Sequence, residues 1–202
     1  MGSGGSYIGQ LLAERLGLKY IDREILALAA QQHGLDELDV DARSEKLSSF
    51  WEKTFSGLAF GPIETRYVPP PPIVVSDKQL FDTQVEILKA MVQDCDCVIA
   101  GYAAAFVLPY HPGVFNVFCH APLDSRIKRV MTIYDVNDER KARSMIEKAD
   151  DMRGRYVAAM AGRDWMAATN YHLSIDTSFS PFQETADFIV ELLRTKGHDT
   201  SR

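Results

Sequence analysis

The sequence has no apolar run long enough to cross a membrane. A transmembrane helix needs about 20 consecutive apolar residues, and no stretch of the 202 residues approaches that length. The first residues are rich in glycine and do not predict a signal peptide. The chain also lacks a basic excess, since its formal net charge is -6, which disfavours a nucleic-acid surface. We therefore expect a cytoplasmic protein that binds neither membranes nor nucleic acid.

The sequence also lacks the spacings of a metal centre or a disulfide framework. Its cysteines, Cys95, Cys97 and Cys119, are odd in number. One residue between Cys95 and Cys97 is not the usual zinc-ligand spacing, and the histidines show no ligand spacing either. We interpret the cysteines as small buried hydrophobic residues in or beside strands.

A glycine-dense stretch near the beginning is the most informative local feature. It leads into a predicted amphipathic helix over residues 10–16, where apolar residues recur at helical spacing. Such a turn directs backbone N–H groups into one concavity at the positive end of a helix, which suits a phosphate. The alternative is a flexible linker or a remnant of an expression tag. The stretch consists of Gly2, Ser3, Gly4, Gly5 and Ser6.

This stretch differs from the full phosphate-loop pattern. That pattern, G-x-x-x-x-G-K-[ST], follows a strand, and its lysine binds the outer phosphates. Here Gly5 stands in the lysine position, and Ser6 stands where the magnesium-binding hydroxyl belongs. No strand precedes the turn. We expect either that the sequence starts late or that residues 73–75 take the place of the first strand.

The rest of the chain alternates buried strand patterns with amphipathic helices. This order predicts an α/β protein with a parallel sheet. Helices are predicted to begin at Pro122, after Asn137 and at Ser180. Residues 35–75, which include a run of prolines, are predicted to form an inserted lobe within one domain spanning residues 1–202. Strands are predicted over residues 18–23, 97–101, 114–119 and 171–176.

Polar residues follow two of these strands at the edge where α/β sheets bind ligands. Asp22 and Arg23 end the first strand, and Gly101 and Tyr102 end the second. These residues are candidates for contact with a substrate. Asp22 can instead be a helix N-cap, which needs no ligand.

Charged residues cluster on two later helices. Arg126 and Arg129 lie about one turn apart after Pro122, and Asp150 and Arg153 share a face of the next helix. In an acidic protein this local positive charge is suited to clamping phosphates. The alternative is a solvated helix face.

Read together, these stretches resemble the cytidylate kinase-like family, a branch of the P-loop nucleoside monophosphate kinases. The resemblance covers most of the chain and rests on five motifs in a fixed order. They are Gly-Ser-Gly-Gly at residues 2–5 with Ile8-Gly9, residues 20–25, residues 121–123 with residues 126–129, Asp150-x-x-Arg153-x-x-Tyr156, and Trp165 followed by Asn170-Tyr171.

The resemblance implies a three-layer α/β/α, P-loop kinase-like fold whose first, central strand is missing from this sequence. It also implies ATP as donor, Mg²⁺ as cofactor and a nucleoside monophosphate, cytidylate-like, as acceptor. By position, the glycine turn would hold the donor phosphates, with Ser6 at the metal. The residues that would face the acceptor are Asp22, Arg23, Gly101 and Tyr102.

The same resemblance implies that residues 122–160 form a lid. Arg126, Arg129 and Arg153 would act on the transferring phosphoryl group, and Asp150 would orient Arg153 or the acceptor. Tyr102 departs from the family, which usually has Gly-Arg at this point, and a tyrosine cannot hold a phosphate by charge.

The sequence therefore supports three hypotheses. The first is an ATP-dependent phosphotransferase with small-molecule nucleotide substrates. The second is a non-catalytic nucleotide-binding or interaction module that retains the kinase fold. The third is a truncated chain without activity. The sequence does not decide whether the chain forms a homo-oligomer.

Overall fold

A computed structural model describes residues 1–22, 85–86, 88–89, 92–93, 95–101, 104–108 and 113–195. Several predictions fall outside these ranges. They concern Arg23, Tyr102, the inserted lobe over residues 35–75 and the strand over residues 73–75.

The strands of the described residues form two parallel pairs. In the first pair Lys19 lies opposite Cys97, and in the second Val117 lies opposite Leu173. The predicted α/β class with parallel strands is therefore confirmed. The strands are β1 (Lys19–Ile21), β2 (Cys97–Ile99), β3 (Val117–His120) and β4 (Leu173–Asp176).

Helices connect or flank these strands, and their ends differ from the sequence predictions by a few residues. The first helix begins at Gly5 and not near residue 10, so the glycine turn itself is short. Pro122 precedes its helix as the N-cap and is not the first helical residue. The helices are α1 (Gly5–Leu16), α2 (Ala104–Val107), α3 (Leu123–Ile133), α4 (Glu139–Ala161) and α5 (Phe182–Thr195), with a 3₁₀ turn over Ala168–Asn170.

The main core forms around α1. The buried face of this helix packs against α5, and half-buried residues of β2, β3 and β4 close the same core. Arg15 adds a polar attachment, since it donates to the Gln183 carbonyl at 2.7 Å and pairs with Asp187. The helix α1 is therefore fixed relative to α5 and the strands. The buried residues are Ile8, Leu11, Leu12, Leu16, Ala186, Ile189 and Val190.

A second core joins α3 to α4. Asp138 caps α4, because its carboxylate accepts hydrogen bonds from the backbone of Arg140 and Lys141. The prediction that Asn137 caps this helix was wrong by one residue. The helix ends at Gly162, which adopts a φ of 63°. The buried residues of this core are Ile127, Val130, Val136, Ala142 and Ile146.

The thiols of the strands are not reactive groups. Cys97 lies in β2 and Cys119 in β3, and both are free and half-buried. Burial raises the pKa of Cys97 to about 12 and that of Cys119 to about 11. Both therefore stay protonated at neutral pH, as the interpretation of small apolar residues expects.

Among the helices that the structure describes, none is long and apolar enough to span a membrane.

Candidate phosphate-binding site

The turn before α1 depends on two glycines with positive φ. Gly2 has a φ of 79° and Gly4 a φ of 75°, a region that glycine enters without a steric penalty. Neither position has space for a side chain. A Cβ on Gly2 would lie 2.9 Å from the carbonyl oxygen of Arg126, and one on Gly4 would overlap the ring of Phe182. The turn is therefore packed tightly against α3 and α5.

Two arginines of α3 bind the carbonyl groups of this turn. Arg126 donates from Nη1 to the Met1 carbonyl at 3.3 Å. One helical turn later, Arg129 donates from Nη1 to the Gly2 carbonyl at 3.3 Å. The spacing of the two arginines thus matches two successive carbonyl groups.

Thr177 binds the next carbonyl group. Its hydroxyl donates to the Ser3 carbonyl at 2.8 Å and accepts from Arg129 Nη1 at 2.9 Å. The side chain is fully buried, and its backbone N–H donates to the His120 carbonyl at 2.8 Å. Thr177 therefore connects the turn to the ends of β3 and β4.

These contacts orient the amides of the turn. In a planar trans peptide the N–H points away from the C=O of the same unit. The carbonyls of Met1, Gly2 and Ser3 are held on the side of α3 and Thr177. The N–H groups of the same peptide units, which belong to Gly2, Ser3 and Gly4, therefore point the other way. No side chain of the described residues caps the start of α1. Amides at a helix start that lack a cap attract anions.

The described contacts of Arg129 are with other groups of the protein. Besides the Gly2 and Thr177 bonds, its Nη2 donates to the Thr177 carbonyl at 2.6 Å. Its guanidinium carbon lies 4.6 Å from the centroid of the Phe182 ring. Burial lowers the pKa of Arg129, and the negative charge of Asp176 opposes this shift. An arginine side chain stays protonated in either case. The geometry favours a role in holding the turn, in addition to the predicted role at the phosphoryl group.

Arg126 has a different environment. Its Nη1 lies 2.6 Å from Oδ2 of Asp150 on α4, and both side chains are largely buried. Its Nε is also buried, and among the described residues it has no hydrogen-bond partner. A buried unpaired donor is costly.

Asp150 joins two of the predicted arginines. Its Oδ1 lies 3.6 Å from Arg153 Nη1 and 2.9 Å from the amine of Met1. Burial alone would raise the pKa of Asp150, but the Met1 amine and Arg126 outweigh it and lower that pKa. Burial also lowers the pKa of the Met1 amine to about 6. Arg126, at 2.6 Å, is the cation nearest to the carboxylate.

Arg153 has the most exposed guanidinium of this cluster. Its side chain is 47% exposed, compared with 16% for Arg126. Its guanidinium carbon lies 5.1 Å from the centroid of the Trp165 ring. Arg153 is thus both charged and accessible to a ligand.

The predicted substrate residues lie at the ends of the first strand pair. Asp22 follows β1, and the Ala100 amide donates to the Ile21 carbonyl at 2.8 Å, which extends the pairing by one residue. Gly101 follows with a φ of 85°. Asp22 and Gly101 therefore leave the same edge of this pair. The helix that Asp22 would cap lies outside the described ranges.

The structure brings together the glycine turn, Arg126, Arg129, Asp150 and Arg153. Sequence reasoning missed Thr177 and Phe182 as partners of the turn. Thr177 directly follows β4, and its position at a strand end was the available signal. For Phe182 the sequence indicated only a place on the apolar face of α5.

The residues fit a phosphate group with a magnesium ion. The outward amides of the turn match a phosphate, and Ser6 in the first turn of α1 carries a hydroxyl oxygen. In the part of the chain that is described, no group of three or more His, Cys, Asp or Glu could hold a metal alone. Mg²⁺ in phosphoryl-transfer sites usually has few protein ligands and completes its shell with phosphate oxygens and water.

Comparisons with known proteins identify the family and a similar fold. A family model described as the cytidylate kinase-like family matches residues 1–179. The fold is similar to the crystal structure of an uncharacterized protein from Eubacterium ventriosum ATCC 27560, with a TM-score of 0.69 and 22% identity, over 96% of this chain and 93% of that chain. None of the curated proteins matches the chain.

Proposed function

Because the chain belongs to the cytidylate kinase-like family, we propose that it transfers a phosphoryl group from ATP to a nucleoside monophosphate. The family itself points to a nucleotide kinase-like function. The donor, the reaction and a cytidylate-like acceptor are the finer proposal. The observation that carries it is the orientation of the turn, whose successive carbonyls are bound by Arg126, Arg129 and Thr177.

That orientation supports a role for the turn in binding the donor. In the proposed site, the amides of residues 2–6 bind the phosphates of ATP. Ser6 and the phosphate oxygens would hold Mg²⁺. When bound, this ion neutralises part of the charge that develops on the phosphates.

The arginines supply the remaining positive charge. Phosphoryl transfer requires little covalent chemistry from the protein, and catalysis rests on positioning and on charge stabilisation. In the proposed site, Arg126 and Arg153 bind the transferring phosphoryl group, and Asp150 sets the distance between them. Arg129 keeps the turn in place.

The acceptor is proposed to bind at the edge that carries Asp22 and Gly101. Arg23 and Tyr102 follow these residues in the sequence and complete the proposed acceptor site. In this arrangement Arg23 supplies the positive charge that Tyr102 cannot. Residues 122–160, which comprise α3 and most of α4, are proposed to act as the lid.

A second candidate function is nucleotide binding without transfer. It is favoured because two of the arginines already bind groups of the protein itself. Arg126 is paired with Asp150, and Arg129 donates to acceptors of the protein itself. Such a module would bind ATP with Mg²⁺ and form no product.

Two arginines of α4, Arg153 and Arg155, provide a matched test of the proposal. We expect wild-type protein with ATP, Mg²⁺ and a panel of nucleoside monophosphates to form a nucleoside diphosphate and ADP in equal amounts. Arg153→Ala is expected to lower turnover by about 10²-fold, the usual effect of removing one charge-stabilising donor. Arg126→Ala is expected to do the same, with thermal unfolding recorded because this change removes the cation nearest to Asp150.

Arg155→Ala is the control. Arg155 is 75% exposed and pairs with Asp151 one turn earlier, so its loss is expected to leave turnover unchanged. Equal rates for wild type and Arg153→Ala would remove Arg153 from the proposed site. Binding of ATP without any product, over the whole panel, would contradict the transfer reaction and select the second candidate.

A further inference from the structure

We propose that Trp165 is a positioning residue that holds the Arg153 guanidinium beside Asp150, where it meets the phosphates of the nucleotide. This inference rests on the proposed function and adds to it a residue that binds no nucleotide itself. It assigns a specific role to the loop between α4 and β4.

The contacts of Arg153 carry the first step. Its guanidinium carbon lies 5.1 Å from the Trp165 ring centroid, and its Nη1 lies 3.6 Å from Asp150 Oδ1. The ring face and the carboxylate together limit where a long and half-exposed side chain can lie. An arginine that is already restrained loses less conformational entropy when it binds a ligand.

The second step is that the indole is itself fixed. Its ring packs edge to face on Phe118 of β3, with 5.7 Å between centroids. Tyr171 stacks on the same Phe118 ring at 4.8 Å, and its hydroxyl donates to the Trp165 carbonyl at 2.6 Å. Burial raises the pKa of Tyr171 to about 12, so the hydroxyl remains a donor. Trp165 is therefore held by the second strand pair.

Gly154 explains how the indole approaches α4. It lies in the interior of this helix, where glycine is normally unfavourable and a packing reason is expected. A Cβ on Gly154 would lie 3.3 Å from Trp165 Nε1, which is tighter than an ordinary contact. Because Gly154 has no side chain, the Trp165 ring can lie close to α4 next to Arg153.

The position of the ring also distinguishes it from a core residue. Trp165 is only partly buried, and it lines an open groove together with Asp150, Gly154 and Met166. Met166 is 60% exposed in the same groove. A tryptophan that served only to fill a core would not place its ring against a half-exposed arginine.

A double-mutant cycle on Trp165 and Arg153 tests the proposal. The readouts are the affinity for ATP with Mg²⁺, measured by calorimetry, and the kcat and KM of transfer. Trp165→Leu is expected to weaken ATP binding by about threefold to tenfold, as the loss of a cation–π contact predicts. In an Arg153→Met background the same change is expected to have no further effect. Trp165→Phe, which keeps an aromatic face, is expected to restore most of the affinity.

Controls separate positioning from stability. Gly154→Ala is expected to weaken ATP binding while the thermal stability stays equal or rises, since alanine favours a helix. Trp165→Leu combined with Arg155→Met is expected to show independent effects. Should Trp165→Leu fail to fold, the cycle is run with Trp165→Phe, whose smaller loss must also disappear in the Arg153→Met background.

The outcomes distinguish the inference from the proposed function. Equal ATP affinity and turnover in wild type and the Trp165 variants, or additive effects of Trp165 and Arg153, would overturn the positioning role alone. A wild-type protein that binds no ATP would overturn the proposed function, and the positioning role with it.

Discussion

Gly4 combines two requirements at one position. Its φ of 75° lies in the left-handed region, and the Phe182 ring occupies the place where a Cβ would lie. Gly17, at the other end of α1, has a similar φ of 65° but nothing within 4 Å of a Cβ. A comparison of substitutions at these two glycines therefore separates the cost of backbone strain from the cost of steric overlap.

We predict that Gly4→Ala destabilises the protein more than Gly17→Ala. Left-handed backbone costs an alanine about 1–2 kcal/mol, which both variants lose. Overlap with Phe182 adds about 1–3 kcal/mol at Gly4 only. Chemical denaturation measures the free energy of unfolding of each variant.

ATP binding provides the second readout for these variants. Gly4→Ala is expected to weaken it because the turn must move away from Phe182, whereas Gly17→Ala is expected to leave it unchanged. Equal losses of stability, together with unchanged ATP affinity in both variants, would contradict the described packing of the turn.

At the residue scale, the sequence predicted which residues belong to the site but not which distant residues they contact. The glycine turn and the Asp150–Arg153 pair were found because their residues are close in the chain. The contact between Thr177 and Ser3 joins residues 174 positions apart, and the Arg126–Asp150 pair joins different helices. Local spacing carries no information on such contacts. Arg129 was predicted from its charge, whereas its hydrogen bonds depend on the packed position of Thr177.

At the scale of the element, α4 carries two site residues, Asp150 and Arg153, and depends on a cap at its start. Asp138 accepts from the Arg140 amide at 2.8 Å and, more weakly, from the Lys141 amide at 3.4 Å. Acceptance of first-turn amides is what stabilises a helix start. The cap lies three turns before Asp150, so its loss affects the helix end and not the site directly.

We predict that Asp138→Ala lowers the free energy of unfolding by about 1 kcal/mol, the typical loss of an N-cap. Asn137→Ala, at the neighbouring position that the sequence favoured as the cap, is expected to change it by less than about 0.5 kcal/mol. Thermal or urea unfolding of both variants makes the comparison. A larger loss for Asn137→Ala than for Asp138→Ala would contradict the assigned cap.

The periodicity of apolar residues located the described elements but not their ends. The strand predicted over residues 171–176 begins at Leu173, because the backbone N–H of Tyr171 donates to the Ala168 carbonyl and closes the preceding 3₁₀ turn. The helix predicted over residues 10–16 begins at Gly5, because its first turn packs against Phe182 despite the poor helix propensity of glycine. In the second case a tertiary contact overrides the local preference.

At the scale of the whole molecule, α1 joins the parts of the fold. Its buried face contacts α5, and residues of both strand pairs close the same core. The α/β class with parallel strands followed from the alternation of patterns. The pairing of β3 with β4 did not, because more than 50 residues separate them and only their common burial brings them together. The three-layer arrangement and the first strand stay predictions.

The central claim is that the turn of residues 2–6 binds the phosphates of a nucleotide. The most direct test is the NMR spectrum of the backbone amides and of the arginine side-chain N–H groups during titration with ATP and Mg²⁺. The account predicts that the largest shifts fall on the amides of Gly4, Gly5 and Ser6 and on the side chains of Arg126 and Arg153. Saturable ATP binding that leaves these signals unchanged, or no binding at all, would contradict it.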